Sequence, residues 1–89
     1  MECIKLEKDD KESVVKNLLT VANSISSGKR RSYISRWAFI FSADSPTSKT
    51  VTEGIAYFNI LRGEISNQNI ERDTVGCLDR IIKILNKYI

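Results

Sequence analysis

The sequence predicts an all-α fold, a small antiparallel four-helix bundle. Three observations lead there. Apolar residues recur at three- and four-residue steps in one segment near each end. Asp44-Ser45-Pro46 forms a helix-start signal in the middle of the chain. The stretches between the periodic segments are short, which favours antiparallel neighbours. The same residues also allow an α+β domain, helix–β-hairpin–helix, in which a hairpin replaces the two middle helices.

The first helix is expected over residues 10–26, because Val14, Val15, Leu18, Leu19, Val21, Ala22 and Ile25 follow helical spacing. Asp9, followed three residues later by Glu12, resembles a capping box. Gly28 is placed to end this helix in a left-handed C-terminal cap.

The second segment, residues 31–43, is the ambiguous one. As a helix it sets Ile34, Ala38 and Phe41 on one line and Tyr33, Trp37 and Ile40 on the next, with Ser32, Ser35, Arg36, Phe39 and Ser42 on the other side. As a strand, Tyr33, Trp37, Phe39 and Phe41 make an aromatic face, and aromatics favour strands. The third segment tips the balance towards helix. Ser45 is an expected N-cap with Pro46 at the first helical position, Val51, Ile55, Phe58 and Leu61 keep helical steps, and Gly63 is expected to close a helix over 46–63. Thr50, Thr52 and Gly54 run against helix propensity.

The fourth helix is expected over about 70–88. Its stripe is Val75, Leu78, Ile81, Ile82, Leu85 and Ile89, with Thr74, Cys77, Ile84 and Tyr88 beside it. Glu71 and Asp73 in its first turn and Lys83 and Lys87 towards its end suit the helix dipole. Gly76 is out of place there, so either a neighbouring helix packs closely against it or the helix begins later.

An 89-residue chain that is 42% apolar fits one domain, residues 1–89, because two cores would each be too small to offset chain entropy. Its two cysteines, Cys3 and Cys77, do not make the disulfide framework of a small secreted domain. The first ten residues are charged where a secretory signal would be apolar. No apolar run approaches the ~18 residues of a membrane span. No Asn has Ser or Thr two positions on. These features predict a cytoplasmic protein that neither crosses a membrane nor carries N-linked sugar.

Most catalytic chemistry lacks its residues. There is no histidine, so the commonest general base and metal ligand are both missing. The cysteines have no zinc spacing, and the four glycines are isolated, so no phosphate-cradling loop is present. The paired carboxylates, Asp9 with Asp10 and Glu71 with Asp73, read more simply as helix-terminus charges than as a metal or proton-sharing site. The expectation is a non-enzyme with no catalytic residue, metal or cofactor.

What stands out is charge. Between Glu12 and Asp44 there is no acidic residue, while Lys16, Lys29, Arg30, Arg31 and Arg36 lie there with Tyr33 and Trp37 among them. Outside that window 11 acids face 9 bases, so the flanks sum to −2 while the window carries +5. Guanidinium forks beside aromatics suit an anionic surface, and Trp, Tyr and Arg dominate the energetics of protein interfaces. The reading is a small regulatory binding protein (an adaptor, inhibitor or immunity-type factor) that docks a basic-aromatic face, Lys29, Arg30, Arg31, Arg36 and Trp37, on an acidic protein partner. The alternative is a nucleic-acid-binding regulator using the same residues for phosphate contacts and base stacking. The bland reading makes Lys29 to Arg31 a solvated loop with cations poorly placed at a helix N-terminus. Ile84, Tyr88 and Ile89 exceed what one helix face must bury, which raises homodimerisation.

Overall fold

Four helices run back and forth along one axis. The computed structural model describes residues 4–25, 28–43, 46–66 and 72–89. Among them α1 is Lys8–Ser24, α2 is Gly28–Ser42, α3 is Ser48–Ser66 and α4 is Arg72–Asn86. The α-helical bundle is thus the observed fold and the hairpin alternative is not needed; residues 28–43 and 48–66 are helical throughout apart from Ala43. Ion pairs at helix ends mark α2 and α3, and α1 and α4, as antiparallel, and a third links α3 to the middle of α4. Arg30 at the start of α2 meets Glu64 near the end of α3. Arg62 late in α3 meets Asp79 in α4. Asp10 at the start of α1 meets Lys87 just beyond α4. The bundle measures 38 × 21 × 20 Å. No described helix is long and apolar enough to cross a membrane.

The core is one cluster drawn from all four helices. α1 gives Val14, Leu18, Val21 and Ala22, α2 gives Ile34, Ala38 and Phe41, α3 gives Val51, Phe58, Leu61 and Ile65, and α4 gives Cys77, Leu78, Ile81 and Leu85. Each set repeats at three and four residues, so each helix buries one stripe. Cys77 is a buried free thiol within that core, as a small apolar group would be. On α4 the stripe lies one position round from the expected one. Val75 and Ile82 are half-buried, Thr74 and Cys77 are buried instead, and Ile89 lies beyond the helix, exposed. α1 packs closely on α2 and α4, and α3 on α4. The α2–α3 seam is filled by aromatic rings: Trp37 stacks on Phe41 and Tyr57 at centroid distances of 5.8 and 6.2 Å and meets Phe58 edge-on at 5.7 Å. Gly54 makes room for them. A Cβ there would come within 3.2 Å of Phe41 and 3.3 Å of Trp37.

Helix ends are where the sequence reading is corrected. α1 starts two residues early, at Lys8, with Glu7 as N-cap and no side-chain cap, so Asp9 and Asp10 lie inside the first turn and Asp9 is not a capping-box residue. Gly28 is not a left-handed cap; it opens α2. The last carbonyls of α1 are met by a side chain from the next helix: Arg31 Nε donates to Ala22 O at 3.1 Å and Arg31 Nη2 to Ile25 O at 3.2 Å. α3 starts two residues late. Its N-cap is Thr47, whose Oγ1 accepts the Thr50 N–H at 3.1 Å. Pro46 is not its first helical residue; it lies buried in the connection and its carbonyl accepts the Ile4 N–H at 2.8 Å. The expected cap at Ser45 lies outside the described residues, as do Cys3 and Glu71. Gly63 does not close α3, which continues one turn to Ser66. α4 is described from Arg72, two residues later than expected, yet Gly76 still lies inside it, and a Cβ there would meet nothing within 4 Å, so no neighbouring helix packs closely against it.

Candidate functional site

Because Ile34, Ala38 and Phe41 face the core, helical phase puts Lys29, Tyr33, Arg36 and Ile40 together on the side of α2 that borders α3. The same argument on α3 places Tyr57, Ile60 and Glu64 on one line, next to the buried Phe58, Leu61 and Ile65. The two lines meet across a cleft of about 260 Å³ lined by Lys29, Arg30, Tyr33, Tyr57, Ile60 and Glu64, with Leu61 behind. Tyr33 and Tyr57 form its aromatic wall, ring centroids 6.5 Å apart. Tyr33 is 46% exposed and Ile60 64%, high values for side chains of their size. Burial, only partly offset by the Arg30 charge, raises the Tyr57 hydroxyl above the ordinary phenol range, so it stays a neutral donor at neutral pH.

The five residues expected to bind a partner have different fates. Arg30 lies in the cleft, but its guanidinium is paired with Glu64 at 2.5 Å. Arg31 points the other way and caps α1, so its charge faces the negative end of a helix dipole and not solvent alone. This also removes the objection to cations at the α2 N-terminus, since the carbonyl end of α1 lies beside them. Lys29 and Arg36 are exposed and make no ion pair among the described residues. Trp37 is half-buried in the aromatic seam and supports the cleft wall from behind. The expected cluster is therefore divided: Lys29, Arg30, Arg36 and Trp37 border one seam, and Arg31 belongs to another.

Three residues of the cleft, Tyr57, Ile60 and Glu64, were not singled out from the sequence. The signal was present in the phase of α3, since the step from Tyr57 to Ile60 to Glu64 is i, i+3, i+7. It becomes readable only once 48–66 is known to be one helix. Of the carboxylate pairs, Asp10 is engaged by Tyr88 and Lys87. Among the described residues no three cysteine, aspartate or glutamate side chains converge. Comparison with protein-family models, curated proteins and solved structures finds no match to this chain.

Proposed function

We propose that this chain is a small non-catalytic binding protein, of the adaptor, inhibitor or immunity type, that docks the α2–α3 face on an acidic protein surface. One observation supports this reading above the rest: Lys29 and Arg36, which make no ion pair among the described residues, flank the half-exposed Tyr33 on one line of α2, beside the apolar side chain of Ile60. An aromatic anchor ringed by charge is how protein interfaces concentrate binding energy. Tyr33, Tyr57 and Ile60 would supply the desolvated centre, and Lys29 and Arg36 the charge that selects an acidic partner.

Division of the basic cluster weighs against the nucleic-acid alternative. With Arg30 in an ion pair and Arg31 bound to carbonyls, two of the four cations, Lys29 and Arg36, are without an ion pair among the described residues. Two phosphate contacts give a log–log salt slope of about −1.8 on duplex DNA, against roughly −3.6 for four.

The test is site-directed photocrosslinking in cells of the source, with a photoreactive phenylalanine at Tyr33 or Ile60 and controls at Asn59 and Asn86 on exposed faces elsewhere. The expected product is one acidic protein from both cleft positions, absent from the controls and lost with Lys29→Glu/Arg36→Glu. The same products at all four positions, or nucleic acid at the cleft positions, would overturn the reading.

A further inference from the structure

On the opposite flank of α2 a longer groove runs beside α1. We propose that it is a docking site for an acidic amphipathic helix of a partner protein. This goes beyond the α2–α3 face and does not depend on it.

The groove follows from how α1 distributes its apolar residues. Val14, Leu18, Val21 and Ala22 are buried, but Val15 and Leu19 lie a further 60–100° round, towards the outer side, and only the core-facing stripe is covered. Val15 is half-buried and Leu19 is 48% exposed. With Ser42 of α2 they line a groove of about 630 Å³. Phe39, one turn before Ser42 on α2, is 76% exposed, the most exposed large apolar side chain described. A lone exposed apolar side chain is ordinary on a protein surface, and Phe39 gains weight only from the exposed Leu19 and half-buried Val15 on the adjoining helix. Leu19 within the groove and Phe39, outside its lining but one turn along α2 from Ser42, thus offer apolar side chains on adjacent helices.

Length and charge select the occupant. The lining extends from Lys8 to Asn23, sixteen residues of helix whose fifteen steps span ~22 Å at 1.5 Å per residue. A groove of that shape accepts a helix laid alongside through anchors at i, i+3 or i+4, and i+7. Its walls carry Lys8 and Lys16 against the single acid Glu12, so the complementary helix has acids beside its apolar stripe. A second copy of this chain does not supply one. Its net charge is +3, and the acids it carries beside Val15 and Leu19, namely Glu7, Asp9 and Glu12, are interleaved with Lys8, Lys11 and Lys16, so two copies of this face set like charges against each other.

The experiment uses a blocked helical peptide of about sixteen residues, with leucines at i, i+4 and i+7 and glutamates flanking them, a length matched to the groove. A second peptide has lysines in place of the glutamates. Binding is read by fluorescence anisotropy and by amide chemical shifts of the full chain. The glutamate peptide is expected to bind saturably, with shifts centred on Val15, Leu19 and Ser42. Leu19→Ser, Phe39→Ser and Lys16→Glu should each weaken it about tenfold or more. These side chains lie outside the core, so helicity by circular dichroism should stay unchanged. The lysine peptide should not bind. Lys29→Glu/Arg36→Glu should leave affinity within about twofold, so that this site and the α2–α3 face succeed or fail separately. Absence of saturable binding, equal binding of the lysine peptide, or shifts centred on the α2–α3 cleft would overturn the proposal. So would preferential binding of anionic vesicles or RNA through Leu19 and Phe39, or a dimeric mass with these amides protected.

Discussion

The guanidinium of Arg31 sits where the carbonyl end of α1 meets the amide end of α2. It donates from two nitrogens to Ala22 O, which otherwise receives, among the described residues, only the long bond from the Ile25 N–H at 3.4 Å, and to Ile25 O just past the helix end. A fork with fixed donors suits two carbonyls in a way that an ammonium does not. Truncating it leaves those carbonyls to water and removes a favourable charge from the negative end of a helix. Arg31→Ala should therefore cost about 1–2 kcal/mol of unfolding free energy, with Arg31→Lys recovering part of that. Lys29→Ala, two residues earlier and without a partner among the described residues, should stay within ~0.5 kcal/mol. Chemical denaturation of the three variants checks this, and equal losses for Arg31→Ala and Lys29→Ala would contradict the capping role.

At the scale of the helices, two glycines at similar-looking interior positions have opposite roles. Gly54 lies where the rings of Phe41 and Trp37 press on the α3 backbone. Gly76 faces open space in α4. Gly76→Ala should stabilise by about 0.5–1 kcal/mol through helix propensity alone. Gly54→Leu should destabilise by about 1–3 kcal/mol, because the rings it would displace are themselves packed against Tyr57 and Phe58. Thermal unfolding of both variants decides the matter, and shifts of the same sign would show the seam to be looser than its distances imply. The contrast also explains what was legible in the sequence. The existence of α1 and α4 follows from periodicity, because a stripe of apolar residues needs no knowledge of its neighbour. The ends of α1 and the roles of the glycines depend on what lies across a gap: Arg31 caps a helix nine residues upstream of itself, and Gly54 is tight only because of α2. The basic cluster was visible as residues but not as two groups facing different seams, since that division requires the phase of α2 against both neighbours. Phe39 could be placed on the outer side of α2 by phase alone, but the groove beside it needed the position of α1.

Taken whole, the molecule ties the start of its first helix to the end of its last through a small polar cluster beside their packed faces. The Tyr88 hydroxyl donates to the Asp10 carboxylate and accepts the Glu7 N–H at 3.1 Å, while Lys87 Nζ lies 3.2 Å from Asp10 Oδ2. Of the three apolar residues at this end, Ile84 and Tyr88 are half-buried against the core and Ile89 is exposed. The contact requires an ionised carboxyl and a protonated phenol, so it has a pH signature at both ends. Hydrogen bonding from Tyr88 first, then from Lys87, holds the Asp10 carboxyl below its ordinary value. Below that ordinary value the unfolded chain binds more protons than the folded one, so this part of the stability falls as pH drops through the folded pKa. Tyr88 moves the other way, raised chiefly by its bond to Asp10. From about pH 10 upward the folded chain keeps a proton that the unfolded chain gives up, so stability falls as pH rises towards the folded pKa. Because one bond underlies both shifts, Asp10→Asn and Tyr88→Phe should each flatten the acid and the alkaline limbs of a stability–pH curve, and the double variant should add little to either single one. Urea denaturation across the pH range measures all four chains. Additive losses, or an acid limb unchanged in Tyr88→Phe, would mean that the two groups act separately and that the ends of α1 and α4 are held by packing alone.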